Sequence, residues 1–188
     1  MKAVLFPFFL GSFLLLGACA PAGVAAPKET ETMSSFPVIP FSSPAFTAGG
    51  AIPAHYTCSG NGVSPALEWG APPGDTKTFA LTLADPDAPS GTFTHWVIYN
   101  IPAASRGLAE AVAPGAQLAD GSLQGMNSAG QQGYTGPCPP SGTHHYTFVL
   151  YALDTVLTLG PGATRDDIVS AVQGHILAMA QLVGTYTR

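Results

Sequence analysis

The chain has 188 residues, 46% of them apolar and only 9% charged, a composition that excludes a highly charged disordered protein. Six Lys and Arg against eleven Asp and Glu give a net charge of −5 and leave no basic face for nucleic acid. The length suits one domain with a real core, and 22 Gly with 18 Pro predict many turns and irregular connections.

The chain opens on an export pattern. Lys2 precedes an uncharged run from Val4 to Leu16, too short to span a bilayer comfortably but suited to the apolar region of a signal peptide. The order Leu16-Gly17-Ala18-Cys19 resembles the cleavage box of bacterial lipoproteins, in which the cysteine is lipidated. The alternative is an ordinary signal peptide in which Cys19 is incidental. Residues 1–18 are therefore expected to be a lipoprotein signal peptide and Cys19 the lipid-bearing residue. Residues 19–35, with Pro21, Pro27, Lys28, Glu29 and Glu31 and no apolar period, read as a flexible tether. The globular domain is expected over residues 36–188. The protein would then be anchored in the cell envelope, facing periplasm or exterior.

Export also bears on Cys58 and Cys138, because an oxidising compartment permits a disulfide between them. Two separate buried thiols are the alternative. A bridge would contribute about 4.5 kcal/mol in the chain-entropy picture.

Strands dominate the next hundred residues. Thr78 to Ala84 and Thr92 to Ile101 are rich in β-branched and aromatic residues and bounded by Gly and Pro, as is His145 to Leu153. Val38 to Phe41 and Ala66 to Trp69 are weaker candidates. Pro102 to Gly133 is a long Gly- and Ala-rich connection with little pattern. A helix is predicted from Thr164, which can cap, with Asp166 and Asp167 in the first turn. Ile168, Val172, Ile176, Met179 and Val183 recur at helical spacing, Gly184 is a plausible stop, and His175 reads as structural. The fold class is mainly β, a β-sandwich or large antiparallel sheet with peripheral helices, including a C-terminal helix.

Polar groups collect at three strand ends. Asp85-Pro86-Asp87-Ala88-Pro89 follows the first long strand, and alone it reads as a turn in which Asp caps backbone N–H groups. His95 lies inside the second strand, where alternation places it with Val97 and Tyr99 and turns Trp96 the other way; alone it reads as a satisfied core residue. In GYTGPCPPSGTHHYTFVLYALD the prolines restrict the loop before His144 and His145. Those two must face opposite sides of a strand, with His144 sharing a face with Tyr146 and Phe148.

The order of DPDAP, GTFTHWVIYNIP and GYTGPCPPSGTHHYTFVLYALD, with HYTCSGNGVSPALEW before them and GHILAMAQLVGTYTR after, resembles the phosphatidylethanolamine-binding protein family. The bacterial Raf-kinase-inhibitor-like branch is the most similar. The resemblance runs from about Phe36 to Arg188 and implies an antiparallel β-sandwich with a shallow anion pocket at one end. The family's pocket residues match Asp85, His95, Gly136, Pro137, Pro139, His144 and Tyr146, with Asp87 and Tyr134 beside them. The implied ligand is a phosphate-containing small molecule or a phospholipid headgroup, and some family members inhibit kinases or serine peptidases. No metal, no cofactor and no enzymatic activity are implied.

Lys and Arg are absent between Lys77 and Arg106 and between Arg106 and Arg165, so the motif segments bring no permanent cation to this pocket. His95, His144, Tyr146 and loop N–H groups would have to donate, with Asp85 orienting a histidine, and binding should be weak and pH-dependent. Three rivals use the same residues or their surroundings. A metal site could draw on Asp85, Asp87, His95 and His144, and a hydrolase on Ser141, His144 and Asp85, although Gly-x-Ser-x-Gly does not occur. A peptidase inhibitor would work through outer loops such as Pro102 to Gly133.

Overall fold

The computed structural model describes residues 36–188, so the expected signal peptide, the lipidated Cys19 and the tether lie outside the described residues. Eight strands run in chain order: β1 Phe41–Ser42, β2 Leu67–Trp69, β3 Thr78–Asp85, β4 Phe93–Pro102, β5 Gly107–Leu108, β6 Leu123–Gln124, β7 Thr143–Leu153 and β8 Ile176–Thr187. One helix, α1, covers Arg165–Ala171. The four long strands and the short β6 form a five-stranded sheet in the order β6-β4-β3-β7-β8, and the other short ones a three-stranded sheet, β1-β2-β5. Every pairing between these strands is antiparallel.

The two sheets enclose the main core. Leu67, Trp69 and Leu108 of the small sheet meet Phe79, Leu81, Trp96, Phe148 and Leu150 of the large one. Trp69 stands against Phe79 with ring centroids 5.4 Å apart. The opposite face of the large sheet is also covered, because Ile168 and Val172 of the α1 region lie over Val97, Tyr99, Tyr151 and Met179. Cover on both faces is why all eight residues of β3 are buried and five of them, Phe79 to Leu81 with Leu83 and Ala84, are apolar.

The C-terminal helix is shorter than its apolar spacing predicts. Its start is as expected: Thr164 Oγ1 accepts from the Asp167 amide and the Asp167 carboxylate accepts from the Thr164 amide. The helix ends at Ala171, Gly174 turns at φ 79°, and Ile176 to Thr187 becomes strand β8. Pairing with β7 from Thr143 to Leu153 outweighs the helical recurrence of Ile176, Met179 and Val183. Ala178, Ala180 and Leu182 enter the main core. His175 is structural, closing the turn through a 2.8 Å bond between Nδ1 and the Asp154 carboxylate.

Gly184 is not a helix stop. It lies within β8 opposite Tyr146, and a β carbon there would sit 2.6 Å from Ile52 Cγ1 and 2.8 Å from Phe46 Cε2. Gly184→Ala is expected to destabilise the fold by about 1–3 kcal/mol through overpacking, measured by denaturant titration.

The free edge of β8 is covered. Pro37 and Ile39 bond to Met179, and Gly49, Gly50 and Ile52 bond to Val183 and Thr185. The Pro102–Gly133 connection also carries more structure than its composition suggests, since it contains β5 and β6. Gln124, fully buried, accepts from Trp96 Nε1 and donates to the Ala113 and Gly115 carbonyls.

Candidate functional site

The site begins with an irregularity in the β3–β4 ladder. Leu83 faces Trp96 while Ala84 faces Thr94, so His95 is an extra residue, a β-bulge. The bulge overturns the simple alternation. His95 stands with Phe93 and Trp96 on the inner face, not with Val97 and Tyr99. Its ring lies 4.8 Å from Phe93 and 5.2 Å, edge on, from Tyr146.

Asp85 ends β3 on that same face. Its Oδ1 accepts from the Asp87 amide at 2.9 Å and its Oδ2 from His144 Nδ1 at 2.7 Å. Asp87 points elsewhere, accepting from both the amide and Nδ1 of His145 at 2.8 Å. The two adjacent histidines therefore face opposite sides, as strand geometry requires, and each takes one of the two aspartates. The His144–Asp85 pair is buried, whereas the His145–Asp87 pair is exposed. The Asp87 carboxyl is held below its usual range chiefly by the His145 side-chain bond.

The histidines differ in one respect that matters for chemistry. His55, His144, His145 and His175 each meet a carboxylate, but His95 Nδ1 donates to the Thr135 carbonyl at 2.8 Å. Burial pushes the His95 imidazolium below the usual histidine range, only partly opposed by that carbonyl and by Asp85. With Nδ1 of both His95 and His144 engaged, each Nε2 is left without a protein partner and is not sealed from solvent. Beside them the buried Tyr146 hydroxyl has the Asp85 carboxylate as its nearest acidic neighbour, close enough to raise its pKa but outside ordinary hydrogen-bond geometry. Burial first, and then the Asp85 charge, raise its pKa, so it stays protonated and able to donate.

The wall opposite comes from the Gly- and Pro-rich loop. Thr135 N donates to the His95 carbonyl, and the Cys58 amide to the Pro137 carbonyl. Cys58 and Cys138 are bridged, with Cα atoms 5.4 Å apart. A β carbon on Gly136 would sit 3.0 Å from the Tyr56 carbonyl oxygen, tighter than ordinary contact, so a larger residue there would press the loop away from the Tyr56–Thr57 backbone. Pro139 is buried. Tyr134 is a support for the loop, since its hydroxyl donates to the Tyr56 carbonyl and its ring meets Trp96 edge on. The site thus gathers Asp85, His95, His144 and Tyr146 against the Gly136–Pro139 loop, with Tyr134 behind and Asp87 outside.

Two participants carry no motif. Asn127 donates to the Gly133 carbonyl and to Thr135 Oγ1, fixing the carbonyl that orients His95. Arg188 places a guanidinium 3.3 Å from Cys138 Sγ, so a permanent cation does reach the loop, from the far end of the sequence. Only the β7–β8 register, unreadable from sequence, could have revealed it. No group of three or more metal-ligating side chains converges among the described residues, and the carboxylates weighed for a metal are each committed to a different histidine.

Two imidazoles, a buried phenol and a disulfide-tied loop thus meet at one end of an antiparallel sandwich. Residues 42–187 match the family model for phosphatidylethanolamine-binding protein. A UPF0098 protein of Methanothermobacter thermautotrophicus is 55% identical over 144 residues, covering 77% of this chain and 95% of that protein. The crystal structure of a PEBP homolog from Chlamydia trachomatis superposes with a TM-score of 0.74 at 39% identity, covering 80% of this chain and 98% of that one. E. coli YBCL, a member of the mammalian PEBP family by its description, gives 0.73 at 30% identity with the same coverage. The chain belongs to the phosphatidylethanolamine-binding protein family.

Proposed function

We propose that this protein is an exported, lipid-anchored binding protein, not an enzyme, whose pocket takes phosphate-type anions, free or as phospholipid headgroups. One observation carries the reading: His95 and His144 are both held through Nδ1 and both offer Nε2 beside the unbonded Tyr146 hydroxyl. A neutral imidazole held this way accepts from a P–OH group, and a protonated one donates to a phosphate oxygen. The Leu16-Gly17-Ala18-Cys19 box supports anchoring at Cys19 and a place in the cell envelope.

Calorimetric titration with phosphoethanolamine and inorganic phosphate tests the pocket. Saturable binding is expected, lost in His95→Ala and in His144→Ala, with folding of each variant checked by circular dichroism. Because His144→Ala strands a buried carboxylate, His144→Gln serves as its second form. Absence of binding to the folded wild type would overturn the reading and favour a peptidase-inhibitor role through outer loops. Binding of phosphoethanolamine without phosphate would make the headgroup the ligand.

A further inference from the structure

The last residues of the chain carry the inner face of the large sheet past the histidines to the mouth of the pocket. Tyr186 stands opposite His144 in the β7–β8 register. Arg188 continues that ladder by exchanging backbone hydrogen bonds with Gly142 at 3.0 and 3.2 Å. Opposed and alternate residues share a face, so Tyr146, His144, Tyr186 and Arg188 lie on one side of these two strands. Gly142 brings no side chain to that face. Arg188 is therefore the diagonal neighbour of His144, about 7–8 Å away between Cα atoms. The contacts agree: Arg188 Nη1 donates to Cys138 Sγ at 3.3 Å, on the disulfide that ties the pocket loop to the Cys58 turn.

We propose that Arg188 forms a rim subsite for a second anionic group, so that the preferred ligand is an organic phosphate that also carries a carboxylate. The proposal rests on the anion pocket proposed above and names its ligand class. The Arg188 guanidinium is exposed, and among the described residues its side chain meets only a disulfide sulfur, a weak acceptor. The motif carboxylates are already taken, Asp85 by His144 on the same face and Asp87 by His145 on the other. A planar guanidinium matches a carboxylate through two parallel hydrogen bonds, which a sulfur atom cannot offer. Ser59 adds a hydroxyl, since its Oγ accepts from the Tyr186 hydroxyl at 2.7 Å and keeps its own proton to give. Hydrogen bonds to Ser59 and Thr57 lower the Tyr186 pKa and the Arg188 charge lowers it further, which places that charge at the same corner. Deeper in, Nε2 of His95 and of His144 and the Tyr146 hydroxyl face the phosphate. The two ends of the site therefore suit two anions a few bonds apart. An ammonium group at the rim, as in phosphoethanolamine, would meet a like charge.

Ethyl phosphate, phosphoglycolate and phosphoethanolamine are the probes, because away from the phosphate they end in a methyl, a carboxylate and an aminomethyl group. Calorimetric titration should give phosphoglycolate a Kd about fivefold below that of ethyl phosphate, the upper value for an exposed ion pair. Phosphoethanolamine should bind no tighter than ethyl phosphate. The net charge of −5 opposes the more anionic ligand, so such a preference has to be local. Arg188→Gln should bring the ratio to one and Arg188→Lys should keep part of it, and any effect of either change on the pocket itself cancels in the ratio. Added salt should narrow it. Bound phosphoglycolate is then challenged with phosphatidylserine vesicles, with phosphatidylcholine vesicles as the control. Either result supports the subsite, displacement naming a lipid headgroup as its occupant and no displacement a free molecule. Equal affinities in the wild type, a preference that survives in Arg188→Gln, or tighter binding of phosphoethanolamine than of phosphoglycolate would overturn the subsite and leave the pocket in place. No binding of any of the three by the folded protein would overturn the pocket reading, and this proposal with it.

Discussion

Sulfate is expected to bind the histidine pocket about tenfold more weakly for each pH unit across a window that starts below the usual histidine range. Sulfate has no proton to give in this range, so any pH dependence belongs to the protein. Neutral His95 donates its Nδ1 proton to Thr135 and offers only a lone pair at Nε2. An anion without a proton meets a donor there only after the ring takes one up. Burial lowers the His95 pKa in the free protein, and a bound anion raises it. Below the free-protein pKa the proton is already present and affinity is flat. Between the free and bound pKa values each pH unit adds about 1.4 kcal/mol of proton uptake to binding. Above the bound pKa the curve flattens again. Sulfate titrations from pH 4.5 to 8 measure this, and His95→Gln should remove the slope. A flat wild-type profile would assign anion binding to Tyr146 and loop N–H groups instead.

The same burial acts on the fold with a definite sign. The native state binds the His95 proton less readily than the unfolded chain does, so the unfolded state holds more protons as pH falls through the histidine range. Asp87, with its lowered pKa, adds loss of stability in the same direction at lower pH. Acid therefore favours sulfate in the pocket while weakening the domain around it.

Reduction of the Cys58–Cys138 bridge should lower stability by about 4.5 kcal/mol, the entropic value for closing a loop across a sequence separation of 80. Few single changes in this domain should cost as much. The bridge ties the loop after the Ala54–Tyr56 turn to the wall of the pocket, where Cys58 N also bonds the Pro137 carbonyl. Anion affinity should therefore fall along with stability. Urea denaturation of the oxidised protein, of the reduced protein and of the Cys58→Ser/Cys138→Ser double variant checks this. An unchanged midpoint would mean that the Pro137 and Gly136 contacts alone hold the loop.

The long central strands were legible because their apolar, β-branched runs need no distant information. Thr78 to Asp85 and Phe93 to Pro102 lie within a residue or two of their predicted bounds. The last strand was not legible, since Ile176, Met179 and Val183 satisfy a helical period by coincidence. What decides their state is an eleven-residue partner, Thr143 to Leu153, and pairing across that distance leaves no local mark. The site divides along the same line. Aspartates and histidines at strand ends stood out by residue type, and the opposite facing of His144 and His145 followed from the pleat. The side on which His95 stands did not, because a bulge depends on how two strands are counted against each other. Arg188 and Thr135 act through a chain terminus and a backbone carbonyl, neither of which residue type announces.

The pairing of Pro37 and Ile39 with Met179 fixes where the first described residues join the sheet. Met179 lies opposite Tyr151, seven residues along β7 from His144, a run of about 24 Å at the rise of an antiparallel strand. The attachment point and the histidine pocket are thus at opposite poles of the long sheet. If the chain is lipid-anchored at Cys19 as proposed, the histidine site lies at the end of the sheet away from where the tether would join the domain. On that reading phosphate-type ligands would be sampled from the surrounding fluid or from a facing surface.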